Sequence, residues 1–258
     1  MDEMLAKPPS DCCFRPGSQQ IGTPRGNIRQ IGGVDTYTSI PPDSVSANGN
    51  VLLYFPDAFG LYENAFLMMD NFAAAGYLVL GVDYFAGDSV AKHNTTPLSD
   101  PTFDFGAWTQ KHLHSSEQIA ESWVKSVVKE FGGEGVKFGC VGYCWGARFV
   151  CRQLSIQGIC RVGVVAHPSF LRETHVKGVQ APLYIVAPAD DELFPHEQRN
   201  RTQEILAKGE VHFSMQTYSR VGHGFATRAN LEDPYAKWAK EQCLEKFVSW
   251  LDYWLLKE

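Results

Sequence analysis

The sequence predicts an α/β fold, with a mostly parallel central sheet and helices on both of its faces. Three observations carry that reading. Short, wholly apolar runs recur, such as Val51–Phe55 and Leu78–Val82, as expected of strands covered on both sides. Between them lie longer segments with apolar residues three and four apart, the spacing of a helix with one buried face. From about residue 40 onward the two kinds alternate, which is the order that builds a parallel sheet. The 258 residues are 44% hydrophobic, 12% aromatic and 20% charged, which suits a globule with a sizeable core and excludes a fibrous, collagen-like or disordered chain.

Residues 1–27, rich in Pro, Gly, Ser and Gln without periodicity, are expected to form an irregular arm ahead of a single domain at 28–258. Residues 28–40 alternate around Gly32-Gly33, as a hairpin with a Gly-Gly turn would. Strands are then predicted at 51–55, 78–82, 136–141, 162–166, 183–187 and 211–217. Helices are predicted at 63–75, 116–131, 147–156 and 195–208. In the helix at 116–131, Ile119, Ala120, Trp123, Val124, Val127, Val128 and Phe131 share one face. The last helix has the clearest start, with Asp233 as N-cap and Pro234 at its first position. Its buried stripe is Leu244, Phe247, Val248, Leu251, Trp254 and Leu255. The polar stretch 85–115, carrying Phe103, Phe105 and Trp108, exceeds an ordinary connection. It reads either as a lid or pocket wall, or as a surface excursion packed by its own aromatics.

Charge and cysteine usage exclude several classes. With 23 Lys and Arg against 29 Asp and Glu, the formal charge is -6, which disfavours nucleic acid or an anionic membrane as a partner. Seven irregularly spaced cysteines, two of them the adjacent Cys12 and Cys13, do not make a disulfide framework. The first residues carry acids and no apolar core, and no apolar run reaches membrane-spanning length, so a cytoplasmic protein with free thiols is expected. The sequon at Asn94 then reads as chance. No cofactor motif is present. His112 and His114 have no companion ligand cluster, and Gly132-Gly133-Glu134-Gly135 lacks the Lys-Ser/Thr of a phosphate loop and reads as a helix stop.

The strongest chemical signal is Gly142-Tyr143-Cys144-Trp145-Gly146, which follows a predicted strand and precedes a predicted helix. That context marks a nucleophile elbow, where the tight turn requires very small residues two before and two after the nucleophile. The helix that follows directs its positive end toward the sulfur and favours the thiolate. The alternative is a small buried Cys in a glycine-rich turn. A nucleophile needs a base and an orienting acid, which follow it in this order in α/β-hydrolases. The strand at 183–187 leads into Pro188-Ala189-Asp190-Asp191-Glu192, and the strand at 211–217 leads to Gly222-His223-Gly224. Cys144, an acid of the first loop and His223 therefore make a candidate triad. His167-Pro168-Ser169, after the strand at 162–166, reads either as pocket lining or as structural.

From about residue 28 to the end, the chain resembles the dienelactone hydrolases, in particular the fungal members. Four motifs carry the resemblance: Phe55-Pro56-Asp57-Ala58-Phe59-Gly60, Val82-Asp83-Tyr84-Phe85-Ala86-Gly87, the elbow with Cys in place of Ser, and Gly222-His223-Gly224-Phe225. The resemblance implies an α/β-hydrolase fold, no cofactor, and a small ester or lactone as substrate. It favours Asp191 over Asp190 as the acid, through its spacing to Pro195. It places the backbone N–H groups of Ala58 and Trp145 at an oxyanion hole, Asp57 near the resting thiol, and Asp57, Phe59 and Arg228 around the substrate. The family's two carboxylate-binding arginines fall at Gly87 and Thr227, with Arg228 one residue later, so Arg228 reads either as solvated or as the partner of an anionic group. A monomer or homodimer is expected. The readings from other classes are a biosynthetic enzyme that closes, isomerises or transfers on the same triad, and a ligand-binding protein that has lost turnover.

Overall fold

The computed structural model describes residues 2–9, 17–93 and 103–257. Eight strands, β1 (Asn27–Ile31), β2 (Val34–Ser39), β3 (Val51–Phe55), β4 (Leu78–Val82), β5 (Phe138–Tyr143), β6 (Cys160–Ala166), β7 (Leu183–Pro188) and β8 (Phe213–Tyr218), form one sheet. Its order is β1-β2-β4-β3-β5-β6-β7-β8. Strands β3 to β8 run parallel, and the predicted hairpin β1-β2 adds on antiparallel beside β4. This is the α/β-hydrolase arrangement.

The pleat explains the two cores. In β3, Val51, Leu53 and Phe55 face one hydrophobic cluster while Leu52 and Tyr54 face the other. The first cluster is covered by α2 (Phe105–Phe131), α3 (Ala147–Gln153), α4 (Glu173–Lys177) and α5 (His196–Lys208), with Trp123 and Phe149 against Phe55. The second is covered by α1 (Glu63–Ala73), α6 (Phe225–Arg228) and α7 (Pro234–Leu255), with Phe72, Phe247 and Leu251 inside. Asp233 caps α7 as expected, accepting from the N–H groups of Tyr235 and Ala236. After β3 the chain turns to one side to build β4 and returns on the other as β5. The carboxyl ends of β3 and β5 thus flank the switch point where α/β sheets place their ligands.

Helix α2 begins eleven residues before the predicted start at 116, since its described span opens at Phe105 with Asp104 as N-cap. The inward face of the added turns carries Trp108 and His112, and Ser116 continues it at the predicted start. His112 and Ser116 are polar and interrupt the apolar pattern, and each has a hydrogen-bond partner outside the helix. His112 Nε2 meets Asp88 at 2.8 Å, and Ser116 Oγ accepts from Arg148 Nη2 at 2.8 Å and from the Trp145 indole at 3.3 Å. Asp88 also binds His93 and Lys111 and accepts from the Trp108 indole through its carbonyl. Trp108 packs tilted against Phe85 and edge-on to Trp145, so the described part of the 85–115 stretch packs onto the elbow as well as onto its own aromatics. Residues 94–102 of that stretch, with the sequon, lie outside the described residues, as do Cys12 and Cys13.

The arm at residues 2–9 is irregular apart from a bridge between Met4 and Arg172. Leu5 and Ala6 are fully buried, and their N–H groups both donate to Leu171 O. No described helix is long and apolar enough to cross a membrane.

Candidate active site

The elbow is tight in the way the motif requires. A Cβ on Gly146 would lie 2.1 Å from Phe55 O, and one on Gly142 would lie 2.6 Å from Val150 Cγ2 and 2.7 Å from Gly146 O. Cys144 has φ +48, a left-handed conformation that costs a non-glycine residue about 1–3 kcal/mol. A single 3-10 turn, Cys144–Gly146, leads directly into α3. Cys144 is 1% exposed, and its Sγ lies 3.4 Å from Ser169 Oγ.

The acid and the imidazole come from the next strand ends. Asp191 follows β7 and holds His223 Nδ1 through Oδ2 at 2.8 Å, while its Oδ1 accepts from Leu193 N–H at 3.0 Å. Both side chains are 1% exposed. Arg199 of α5 staples this loop, donating to the carbonyls of Pro188, Ala189 and Phe194. Asp190, by contrast, is exposed. His223 Nε2 is buried without an oxygen or nitrogen partner among the described residues, and its neighbour is the Cys144 thiol. Burial opposes a charged imidazole, but the charge on Cys144 and the hydrogen bond to Asp191 outweigh it and push the His223 pKa up to about 10.

At the end of β3, Asp57 accepts from Phe59 N–H at 2.9 Å, from the Thr227 hydroxyl at 3.0 Å and from Arg228 Nη1. Burial raises the Asp57 pKa, and Arg228 partly offsets that. Arg228 is 7% exposed and lies over the Phe59 ring at 4.4 Å. The solvated reading of Arg228 is therefore overturned, because α6 turns its guanidinium inward onto Asp57. Asp57, Ala58 and Cys144 meet at the adjacent ends of β3 and β5. Where the family carries its first arginine, Gly87 has φ +80 and open space around a Cβ.

A match to the dienelactone hydrolase family covers residues 34–255. The chain belongs to the dienelactone hydrolase family. It is 55% identical over 258 residues to dienlactone hydrolase 1 of Gibberella moniliformis, covering 100% of this chain and 98% of the relative. It is 52% identical to dienlactone hydrolase 2 of the same fungus over 260 residues, covering 100% of both. Among solved structures, TT1662 from Thermus thermophilus shares the fold with a TM-score of 0.67 at 15% identity, covering 91% of this chain and 99% of that one.

In this dienelactone hydrolase family member the structure brings together Cys144, Asp191, His223, Asp57, Thr227 and Arg228. Sequence reasoning did not single out Arg199, and it left His167 and Ser169 open. His167 is fully buried, and its ring meets His223 edge to face at 4.9 Å. Burial, then the neighbouring His223 and Arg228 charges, hold its pKa well below the ordinary value, so it is neutral. Its position at the end of β6, beside the elbow strand, was the available signal. Among the described residues, no group of three or more His, Cys, Asp or Glu side chains is placed to hold a metal ion.

Proposed function

We propose that the protein hydrolyses small ester or lactone bonds with Cys144 as nucleophile, His223 as acid and base, and Asp191 as orienting acid. Family and fold support a hydrolase of small esters or lactones. The observation that carries the finer assignment is the 2.8 Å bond between His223 and Asp191, which leaves Nε2 toward the thiol. Attraction between thiolate and imidazolium is mutual, so the raised His223 pKa favours the ion pair at rest. In acylation the sulfur attacks the carbonyl carbon, and the N–H groups of Ala58 and Trp145 hold the oxyanion. His223 gives its proton to the departing oxygen as the C–O bond breaks. Water, losing a proton to the same imidazole, then attacks the thioester, and the acid leaves as the C–S bond breaks.

The test is a panel of lactones and aryl esters assayed with wild type, Cys144→Ser and Cys144→Ala, with intact-protein mass spectrometry. Turnover and an acyl adduct are expected in wild type and neither in Cys144→Ala. Full turnover in Cys144→Ala would sink the assignment.

A further inference from the structure

Ser169 lies 25 residues from Cys144 in sequence yet places its hydroxyl 3.4 Å from Sγ, within range of a hydrogen bond to sulfur. It is fully buried. It sits in the turn after β6, where His167 has φ +38 and Phe170 has φ +52. Two non-glycine residues in the left-handed region of one turn persist only where the surroundings fix the backbone.

The surroundings supply that constraint from three sides. His167 N–H donates to Val186 O of β7 at 2.8 Å, and Ser169 N–H donates to Cys144 O at 3.0 Å. Phe170 N–H donates to Lys7 O of the amino-terminal arm at 3.1 Å, and Leu5 and Ala6 N–H donate to Leu171 O at 2.8 and 2.9 Å. The turn is thus tied to the neighbouring strand, to the elbow itself and to the arm. Its backbone is held where Ser169 Oγ meets the sulfur and the His167 ring backs His223.

A hydroxyl beside a thiol can donate or accept, but beside a thiolate it can only donate. We infer that Ser169 is a further catalytic residue, whose hydroxyl donates a hydrogen bond to the Cys144 thiolate and stabilises it before attack. The inference rests on the reading of Cys144 as nucleophile. Ser169 keeps its proton throughout. The proton delivered to the leaving oxygen is that of His223, and the bond from Ser169 weakens as the sulfur gives up its charge to the new C–S bond.

Removing a hydrogen bond to a charged group moves the equilibrium of that group by about one pH unit. A less stabilised thiolate is also the better nucleophile, and a Brønsted slope near 0.4–0.5 converts one unit into about a threefold faster fully ionised sulfur. The thiolate midpoint of Cys144 is read from ultraviolet thiolate absorbance against pH, with Cys144→Ala subtracted as the blank. The plateau is read from iodoacetamide alkylation followed by mass spectrometry. Circular dichroism establishes that each variant is folded.

In Ser169→Ala the midpoint is expected to rise by about one unit and plateau alkylation to quicken about threefold. Ser169→Gly, a second variant without the hydroxyl, should show the same shift. A packing defect alone does not move a midpoint up and a plateau rate up together. A wild-type midpoint in both folded variants overturns the inference. Ester turnover is scored separately: if Cys144→Ala retains turnover while the Ser169→Ala midpoint still shifts, the hydrogen bond stands and the nucleophile assignment falls.

Discussion

Asp191→Asn is predicted to remove most of the activity, while Asp190→Asn leaves it nearly intact. The reason lies in how the two oxygens of Asp191 are used. Oδ1 accepts the Leu193 N–H at 3.0 Å, so an asparagine would keep its carbonyl oxygen there and present its NH2 in place of Oδ2. That NH2 would then face His223 Nδ1 across 2.8 Å, where only an unprotonated ring nitrogen is tolerated. The imidazole would be locked with its proton on Nε2, unable to accept from the thiol or to carry a second proton. The same change in a serine triad costs about 10⁴ in kcat, and since a thiol ionises more readily we expect about 10³ here, near 4 kcal/mol of transition-state stabilisation. Asp190 is exposed and reaches the site only through its charge on Arg199, so its asparagine variant should stay within about threefold of wild type. The assay is kcat, with KM alongside, on one aryl ester at fixed pH, with circular dichroism on both variants. A larger loss in Asp190→Asn, or more than about a tenth of wild-type kcat in Asp191→Asn, would refute the reasoning.

Gly146→Ala should cost about 3 kcal/mol or more in urea denaturation, because its Cβ would lie 2.1 Å from the backbone oxygen of Phe55, which has no rotamer to give; wild-type stability would contradict this. Arg228→Met leaves the buried Asp57 without its cation and should cost about 3–5 kcal/mol, with part of the loss recovered in the Asp57→Asn, Arg228→Met double variant; strictly additive losses in urea midpoints would exclude the coupling. The His223 pKa of about 10 exceeds the unfolded value near 6.5, so its contribution to stability is fully present below about pH 6.5 and is lost as pH rises toward 10. Subtracting the stability–pH curve of His223→Gln isolates that contribution, and a difference that stays flat from about pH 7 to 10 would contradict it.

What the sequence disclosed follows from which constraints are local. Strands β3 and β4 were legible to the residue because burial on both faces leaves a wholly apolar run, begun after Asn50 and stopped by Pro56 in one and stopped by Asp83 in the other. The start of α2 was not, since His112 and Ser116 occupy inward positions and are made acceptable only by Asp88, Trp145 and Arg148, brought there by the fold. Cys144 and His223 announced themselves because an elbow and a glycine-flanked loop are short-range patterns. Asp191 was separable from Asp190 only through the resemblance, and the geometry that distinguishes them is the turn closed onto Leu193 and stapled by Arg199. Ser169 carries no local pattern at all. Its place beside the sulfur is created by the pairing of β5 with β6, which sets Tyr143 beside Ala166 and so brings the two strand ends together.

The charges gathered at the site favour a neutral substrate. Asp57 is ion-paired with Arg228 and also meets the Phe59 N–H and the Thr227 hydroxyl, so its carboxylate and the guanidinium neutralise each other. If Cys144 and His223 rest as thiolate and imidazolium, as proposed, their charges likewise cancel, and Asp191 remains as a negative charge partly offset by Arg199. At Gly87 no cation is offered, and its φ of +80 would strain any side chain placed there. A carboxylate entering about 6 Å from the Asp191 charge, at an effective dielectric of about 20, meets up to about 3 kcal/mol of repulsion, lessened by the nearby Arg199 charge. The expected outcome is at least about tenfold higher kcat/KM for the methyl ester than for the free acid of otherwise matched carboxyl-bearing lactones, scored by opening of the lactone ring. The preference should shrink in Asp57→Asn, where Arg228 is released to meet an anion. If wild type prefers the free acid, Arg228 must exchange Asp57 for the substrate, and the neutral pairing seen at rest would be a latch and not the working state.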